Sequence, residues 1–317
     1  MNRLITSALT LALLVTTSCS IHSESVSDNV EKVDIRVEGF NTEVQTKGSI
    51  IIIDKGYKFI WEDTDEVGIF PNMGGYQLGF SLEGQGGKEN GSFDGGGWGL
   101  RSDAKYSTYY PFNFENRDPK HIPISYLGQC QKGIDNTEHL GDYYFCATVP
   151  TAAEDGSVSF LLRNLNGLIQ FNVTVPDVAT YTEMSLVTDA NLFPVEGYYN
   201  LKELNDTDLS KETYSAITPT KMSSRITLKL EGVTTTSENQ VIKAYMMTAP
   251  FDITGHAYKL VLKNSEGGFY TADLSAKTHY VRRKGNRSVT ATVKASEGYN
   301  IGVDDWGNGD SIDGDAE

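Results

Sequence analysis

Apolar and polar residues alternate along much of the chain from residue 33 onwards. Residues 33–38 carry valine or isoleucine at every second position, and residues 226–230, 258–262 and 288–293 show the same period of two. Because successive side chains of a β-strand point to opposite faces, this pattern predicts strands with one buried face. Clusters of Gly, Asn and Ser, such as residues 264–268, separate these segments and predict turns.

Amphipathic helices are not indicated by the sequence. The best helix candidate, residues 208–216, has no apolar stripe along one side. Many short strands separated by turns are typical of β-sandwiches and β-barrels. We therefore expect an all-β fold.

The length and one polar stretch indicate two domains. The chain has 317 residues, whereas a single domain usually has about 100–200. Residues 150–156 are small and polar between two apolar stretches. We expect an N-terminal β-sandwich domain at residues 33–153 and a C-terminal β-sandwich domain with an acidic tail at residues 154–317.

The first residues have the features of an export signal. A short basic start precedes an apolar run at residues 4–15, which is shorter than the roughly 20 residues of a membrane-spanning helix. Small residues and Cys19 follow, so residues 1–18 are predicted to be a lipoprotein signal peptide. Cys19 resembles the lipidated cysteine of a bacterial lipobox, although Thr16 replaces the usual leucine; the alternative is ordinary cleavage nearby. Residues 19–32 form a polar spacer.

Export also bears on the two remaining cysteines, Cys130 and Cys146. An oxidising compartment permits a disulfide between them, which would stabilise the fold by about 3 kcal/mol. The alternative is two independent buried thiols. A zinc site is not indicated, because the sequence has no CxxC motif and no paired histidines near either cysteine.

Charge excludes some classes of partner. The chain has 27 Lys and Arg against 42 Asp and Glu, a net charge of −15. Nucleic-acid-binding proteins and proteins that dock electrostatically on anionic lipid concentrate positive charge instead. We therefore expect no nucleic-acid partner.

Catalytic motifs are almost absent from the sequence. There is no GxSxG or HExxH motif, the SxxK spacing occurs once, at Ser102 and Lys105, and the five histidines lack metal-ligand spacing. The glycine-rich residues 84–99 do not match a P-loop, because Glu89 follows Gly87 and Lys88 where Ser or Thr is required. We expect no enzyme activity, no cofactor and no metal. A secreted hydrolase stays as a distant alternative, because paired carboxylates can be assembled by folding alone.

Aromatic residues offer candidate ligand contacts. Trp61 is expected in the core, whereas Trp98 in the glycine-rich stretch is the candidate contact for a ligand such as a sugar. Three pairs of adjacent tyrosines could also stack on sugars, but neighbours on a strand face opposite sides. We therefore expect one buried and one exposed ring in each pair, at residues 109–110, 143–144 and 198–199.

Several short segments occur in a recognisable order. Residues 46–48 are Thr-Lys-Gly, residues 59–70 hold a Trp, an acidic turn and an apolar strand with a glycine, and residues 109–112 are Tyr-Tyr-Pro-Phe. Residues 158–165 then resemble the opening strand of a second domain. Together with the lipoprotein signal, this order resembles the fimbrillin family of Gram-negative anaerobes, whose members build type V pili or related surface adhesins.

The resemblance implies a fold and an assembly route. The fold would be two tandem transthyretin-like β-sandwich domains, carried to the outer membrane on a lipid anchor. In stalk subunits of the family a trypsin-like protease cuts after Arg or Lys, and Arg36 and Lys47 are the candidates here. The cut releases the first strand, and a strand from another pilus subunit fills the groove. Asp310-Ser311-Ile312 resembles the O-glycosylation signal of these bacteria, with Ser311 as acceptor.

Two functional interpretations follow. The first is a pilus component that assembles by strand exchange and acts in adhesion to an unidentified host or bacterial surface ligand. Residues 303–317 hold six acidic side chains, which are costly to bury in a neighbour's groove, so a tip or accessory position is favoured over the stalk. The alternative is a carbohydrate-binding surface lipoprotein of a glycan-uptake system.

Overall fold

The computed structural model describes residues 32–38, 49–53, 56–84, 86–97, 99–101, 104–152, 158–275 and 280–296. In these residues the chain forms 24 strands, one 3-10 helix and one short α-helix. The predicted all-β fold is confirmed.

The strands fall into two groups along the chain. The first group is β1 (Lys32–Val37), β2 (Ser49–Ile53), β3 (Gly56–Ile60), β4 (Glu66–Pro71), β5 (Leu78–Leu82), β6 (Asn90–Asp94), β7 (Lys105–Tyr110), β8 (Ile122–Ser125), β9 (Cys130–Lys132), β10 (Cys146–Ala147), β11 (Thr151–Ala152) and β12 (Val158–Asn164). The 3-10 helix Glu138–Tyr143 lies between β9 and β10.

The second group follows without a further long gap. It is β13 (Gly167–Thr174), β14 (Thr180–Thr188), β15 (Phe193–Tyr199), β16 (Ile217–Ser223), β17 (Arg225–Thr234), β18 (Val241–Thr248), β19 (Phe251–Asp252), β20 (Tyr258–Asn264), β21 (Phe269–Asp273), β22 (Tyr280–Val281), β23 (Asn286–Thr292) and β24 (Lys294–Ala295). Helix α1 (Asp206–Leu209) separates β15 from β16.

The largest sheet closes on itself. Its strand order is β10-β12-β1-β6-β5-β4-β7-β11, and β10 also pairs with β7. Cys146 on β10 is opposite Asn164 on one side and Tyr110 on the other. The seven strands from β10 round to β7 therefore form a ring, and closure removes the exposed edges of a sheet.

An aromatic core fills this ring. Trp61 is fully buried, which confirms the prediction for this residue. Its ring lies 4.8 Å from that of Phe93, 4.9 Å from that of Phe59 and 5.2 Å from that of Tyr110, measured between centroids. Edge-on contacts of this kind add to the free energy gained from burial of the rings alone.

The second core lies between two sheets. One sheet has the order β18-β13-β23 and the other β24-β21-β20-β14-β17-β9. Ile169, Phe171 and Val173 of β13 and Leu260 and Leu262 of β20 are fully buried in this core. The alternating pattern predicted from the sequence thus becomes the inner face of a β-sandwich.

Strands on one side of the predicted domain boundary pair with strands on the other side, so each of the two units, one around each core, contains strands from both sides. Strand β12 pairs with β1 in the first sheet, whereas β8 and β9 pair with β15 and β17. Leu168 belongs to the first core and Ile169 to the second. The boundary predicted between residues 153 and 154 lies outside the described residues, and strand pairing between distant residues decides which core a strand joins.

Candidate assembly site around strand β1

Strand β1 presents one apolar face to the first core. Val33, Ile35 and Val37 are at most 3% exposed, and the side chains between them face solvent. The period of two in the sequence thus becomes an alternation of buried and exposed positions. The predicted first strand is confirmed.

Both edges of β1 are hydrogen-bonded. On one side β1 runs parallel to β12, and on the other it runs antiparallel to β6. Neighbouring strands lie about 4.8 Å apart, so without β1 a gap about two spacings wide would separate β6 from β12. Two rows of unpaired backbone groups would then face each other across a groove.

The groove would have apolar walls. The residues of β6 and β12 that lie beside the buried positions of β1 include Phe93, Phe160 and Leu162. All three are at most 1% exposed while β1 is in place. Loss of β1 would therefore expose apolar side chains together with unpaired backbone, which is the combination that another strand can cover.

Glu38, the residue directly after β1, is held by three basic side chains. Its carboxylate lies 2.7 Å from Nη1 of Arg283, 3.0 Å from Nζ of Lys284 and 3.2 Å from Nη1 of Arg163. Its backbone N–H also donates to the carbonyl of Leu162 at 2.7 Å. We refer to Glu38, Arg163, Arg283 and Lys284 as the Glu38 cluster.

The pKa of Glu38 reflects two opposing effects. Burial favours the neutral acid and raises the pKa, whereas hydrogen bonds and charge from Arg283 and Lys284 lower it. The cations prevail, so the pKa of Glu38 lies below its usual value. The carboxylate is therefore ionised at neutral pH, and the strand end is tied by charge to residues between β22 and β23.

The predicted cleavage residues differ in their surroundings. Arg36 lies inside β1 with an exposed side chain, and its backbone faces Leu161 on β12 and Asn90 on β6. Lys47 lies outside the described residues, as do Cys19, Trp98 and Ser311.

The two cysteines do not form the predicted disulfide. Both are free thiols. Cys130 is half-buried on β9 beside β17, with its Sγ atom 4.0 Å from the Glu231 carboxylate. Cys146 is fully buried on β10 in the ring, and burial raises the pKa of its thiol well above the usual value. The two residues lie in different sheets, so the alternative of two separate thiols describes the structure.

Two surface clefts lie near the 3-10 helix. One, of about 390 Å³, is lined by residues that include Cys130, His139 and Tyr143. The other, of about 410 Å³, includes Asp65 and Tyr110. Burial raises the pKa of Asp65, which accepts a 2.8 Å hydrogen bond from Tyr110. Across the described ranges no group of three or more His, Cys, Asp or Glu side chains is placed to hold a metal ion.

The tyrosine pairs follow the prediction only in part. Tyr143 and Tyr198 are partly exposed, and Tyr144 and Tyr199 are buried, as expected. The first pair differs, because both rings are at most 9% exposed. The ring at position 109 stacks on Phe70 and Phe145, whereas the ring at 110 contacts Trp61. Strand β7 therefore has apolar neighbours on both faces.

Exposed apolar side chains lie on two loops, one after β4 and one after β7. Met73 is 88% exposed, Tyr76 83% and Phe114 63%. Gln77 joins the two loops that carry them by donating to the carbonyls of Asn113 and Phe114, at 2.7 and 3.2 Å. We refer to Met73, Tyr76 and Phe114 as the loop patch. Exposed apolar side chains held close together often mark a contact surface.

Sequence reasoning missed the Glu38 cluster. Glu38 and Lys284 are 246 positions apart, so no local pattern connects them. One signal was present: residues 282–284 (Arg-Arg-Lys) are the only three consecutive basic residues in an otherwise acidic chain. Such a run is usually a solvated surface, whereas here Arg283 has a side chain only 3% exposed.

Within the described part of the chain, no helix is long and apolar enough to cross a membrane.

Comparison with known proteins gives matches among solved structures. No protein family description and no curated protein matches the sequence. The chain is similar to a proposed cell adhesion protein from Bacteroides ovatus (14% identity, 84% of this chain and 96% of that one, TM-score 0.49). It is also similar to one from Bacteroides uniformis (15%, 84% and 97%, TM-score 0.48) and to the fimbrial anchor protein Mfa2 from Porphyromonas gingivalis (11%, 77% and 82%, TM-score 0.36).

Proposed function

We propose that this protein is a fimbrillin-like fimbrial component that acts in surface adhesion and joins other pilus subunits by strand exchange at β1. One observation carries the proposal. Strand β1 is one of the strands of a closed ring, and it is hydrogen-bonded at both edges and buried on one face. Residues 39–48 alone connect it to the next strand in the sequence. Its removal leaves a groove that a neighbour's strand can fill.

The cut that frees β1 is proposed to follow Lys47 rather than Arg36. The backbone at Arg36 is paired with a strand on each side, and a protease needs an unpaired, extended segment. A cut there would also leave Val37 and Glu38 on the body of the protein. A cut after Lys47, which follows β1 in the sequence, separates the whole strand together with Glu38.

Export and anchoring are part of the same proposal. Cys19 would carry the lipid that anchors the precursor in the outer membrane, because two or more acyl chains hold a protein firmly on a bilayer. Ser311 would be an O-glycosylation site. The composition of residues 303–317, with six carboxylates, supports a tip or accessory position, since a neighbour's apolar groove would have to bury those charges.

The test uses the mature chain with Cys19→Ser and limited trypsin digestion. We expect N-terminal sequencing to find Gly48 as the new first residue. For a stalk subunit we expect a ladder of multimers on a denaturing gel without boiling; for a tip or accessory protein, we expect no ladder from the cut chain alone but a stable complex with a second subunit type.

Two variants serve as matched controls. Lys47→Gln should block the cut and any assembly, whereas Arg36→Gln should behave as the parent. A chain that is cut completely after Lys47, loses β1, and binds neither itself nor any subunit from purified fimbriae would refute the proposal.

A second candidate function is carbohydrate binding on the cell surface. The loop patch favours it, because the Tyr76 ring is 83% exposed and sugars stack on such rings. The Phe114 ring is also exposed, with the Arg117 guanidinium 4.4 Å from its centroid. Glycan-array binding that is lost in both Tyr76→Ala and Trp98→Ala, in a chain that does not assemble after cutting, would favour this function over the first.

A further inference from the structure

We propose that the groove at β1 selects its strand by a carboxylate as well as by apolar residues. Either β1 or a strand of a neighbouring subunit can fill the groove. In both cases the strand must carry three apolar residues at alternate positions and, directly after the third, an acidic residue that takes the place of Glu38. This inference rests on the proposed strand exchange and adds a chemical definition of the partner.

The basic side chains of the Glu38 cluster are positioned by groups other than Glu38. Arg283 donates from Nη1 to the carbonyl of Asn164 at 2.9 Å and from Nη2 to that of Leu209. Its backbone N–H donates to the backbone carbonyl of Glu212 at 2.7 Å. None of these partners belongs to β1. The guanidinium group is therefore held in place after β1 leaves, ready to receive another carboxylate.

The backbone of Lys284 is also held by groups other than Glu38. Its backbone N–H donates to the carbonyl of Asn166 at 2.6 Å, and its φ of 51° fixes an unusual left-handed conformation. Such a conformation persists only where the surrounding contacts determine it. The two residues thus form a rigid cationic end to the groove.

A strand without a carboxylate beside Arg283 would leave the fold in an unfavourable state. The Arg283 side chain is 3% exposed, and its Nε has no hydrogen-bond partner. Arg163 has a second carboxylate partner, Asp206 at 2.7 Å, and Glu212 binds the neighbouring Arg282 at 2.5 Å. Arg283 is the most buried cation of the cluster, and its carboxylate partner is Glu38 at 2.7 Å. Removal of one partner from a buried ion pair leaves an uncompensated charge, so a strand without the acid should bind more weakly.

The carboxylate also fixes the register of the strand. A strand with apolar residues at every second position can slide by two residues and still bury the same face. That slide moves each side chain by about 6.6 Å along the strand, which takes the acid out of reach of Arg283 and Lys284. The apolar spacing alone does not determine the register of the strand, whereas the single charge does.

The experiment uses the full chain with the recognition sequence of a site-specific protease inserted between Glu43 and Val44. After the cut, β1 is held without a covalent link and can be displaced by labelled peptides of residues 30–40. Three peptides are compared: the natural sequence, Glu38→Gln and Asp34→Asn. The last removes the same charge from the exposed face of β1. Fluorescence polarisation gives their Kd values.

We expect the Asp34→Asn peptide to bind within about twofold of the natural one and the Glu38→Gln peptide to bind roughly 10- to 100-fold more weakly. Equal binding of all three would overturn the carboxylate requirement and leave strand exchange intact. Failure of the natural peptide to enter the groove would overturn strand exchange at β1, and this inference with it.

A second measurement separates charge recognition from a general loss of fit. In a Lys284→Met chain, the difference between the natural and Glu38→Gln peptides should shrink several-fold, because part of the partner charge is gone. Lys221→Met, on the exposed strand β16, should leave the difference unchanged. An unchanged difference in the Lys284→Met chain would overturn the role of the cluster.

Discussion

Strands β1 and β23 occupy similar places in the two units but are held differently. Each runs parallel to an inner strand of its sheet, β1 beside β12 and β23 beside β13. Strand β1 has a second neighbour, β6. Among the residues that the structure describes, β23 pairs with β13 alone. The first strand of the protein therefore closes a ring, whereas β23 forms the edge of a sheet.

This difference in pairing is accompanied by a difference in burial between β1 and β23. Val33, Ile35 and Val37 are at most 3% exposed, whereas Val289 on β23 is 8% exposed. Loss of an enclosed strand leaves two neighbouring strands with unpaired edges and exposes the core. Loss of an edge strand leaves one neighbouring strand with an unpaired edge. Of the two strands, β1 is therefore the one whose loss should cost the fold the most free energy.

The largest expected effect tests this difference in burial directly. Ile35→Ala should lower the free energy of unfolding by about 3 kcal/mol, because a fully buried side chain leaves a cavity, and Val289→Ala by about 1 kcal/mol. Urea unfolding followed by fluorescence and circular dichroism gives both values. Arg36→Ala, with its exposed side chain, should change stability by less than about 0.5 kcal/mol. Equal losses of unfolding free energy at positions 35 and 289 would contradict the stated difference between the two strands.

The next effect concerns the charge that ties β1 to the residues before β23. Glu38→Gln should lower the free energy of unfolding by about 2 kcal/mol at neutral pH, because the Glu38 carboxylate is only 13% exposed and has three cationic partners. Asp34→Asn is the matched control and should have almost no effect.

The pH dependence gives the same prediction a second test. The folded pKa of Glu38 is lowered, so its stabilisation is complete above the unfolded pKa of about 4.3 and is lost as pH falls through the folded pKa. The difference in stability between the parent and Glu38→Gln should be constant above about pH 5.5 and shrink below pH 4. A difference that persists unchanged to pH 3 would show that the contact is not ionic.

Local patterns in the sequence were sufficient for the strands and for their buried faces. The alternation at residues 33–38 predicts β1 because the period of two is a property of each strand by itself. Trp61 could be placed in the core for a similar reason, since it lies in an apolar segment next to an acidic turn.

Pairing between distant strands could not be read in the same way. Strand β9 joins the second core because Cys130 pairs with Lys229, about a hundred residues away, and no composition change marks that choice. The burial of both Tyr109 and Tyr110 follows from the closed ring, which places apolar neighbours on both faces of β7. The Glu38 cluster likewise depends on three segments that only folding brings together.

A smaller effect compares the two units through their cysteines. In a Cys19→Ser chain, Cys130 should react with a thiol reagent at least about tenfold faster than Cys146, because Cys146 is fully buried and burial raises its thiol pKa. Mass spectrometry of alkylated peptides assigns the two rates. Removal of β1 should speed the reaction of Cys146 by opening the ring and leave Cys130 unchanged. Two thiols that stay unreactive until reductant is added would instead reveal a disulfide.

The smallest expected effect on stability separates surface function from folding. Tyr76→Ala in the loop patch of the first unit and Val178→Ala in the second unit both remove exposed apolar side chains, 83% and 58% exposed, and each should change the free energy of unfolding by less than about 0.5 kcal/mol.

Only the first substitution should weaken adhesion of the protein to cells or its binding on a glycan array, because Tyr76 lies next to Gln77, whose amide donates to the loop that carries Phe114, whereas Val178 contributes a single small side chain. Equal binding by both variants would remove the loop patch as a contact surface.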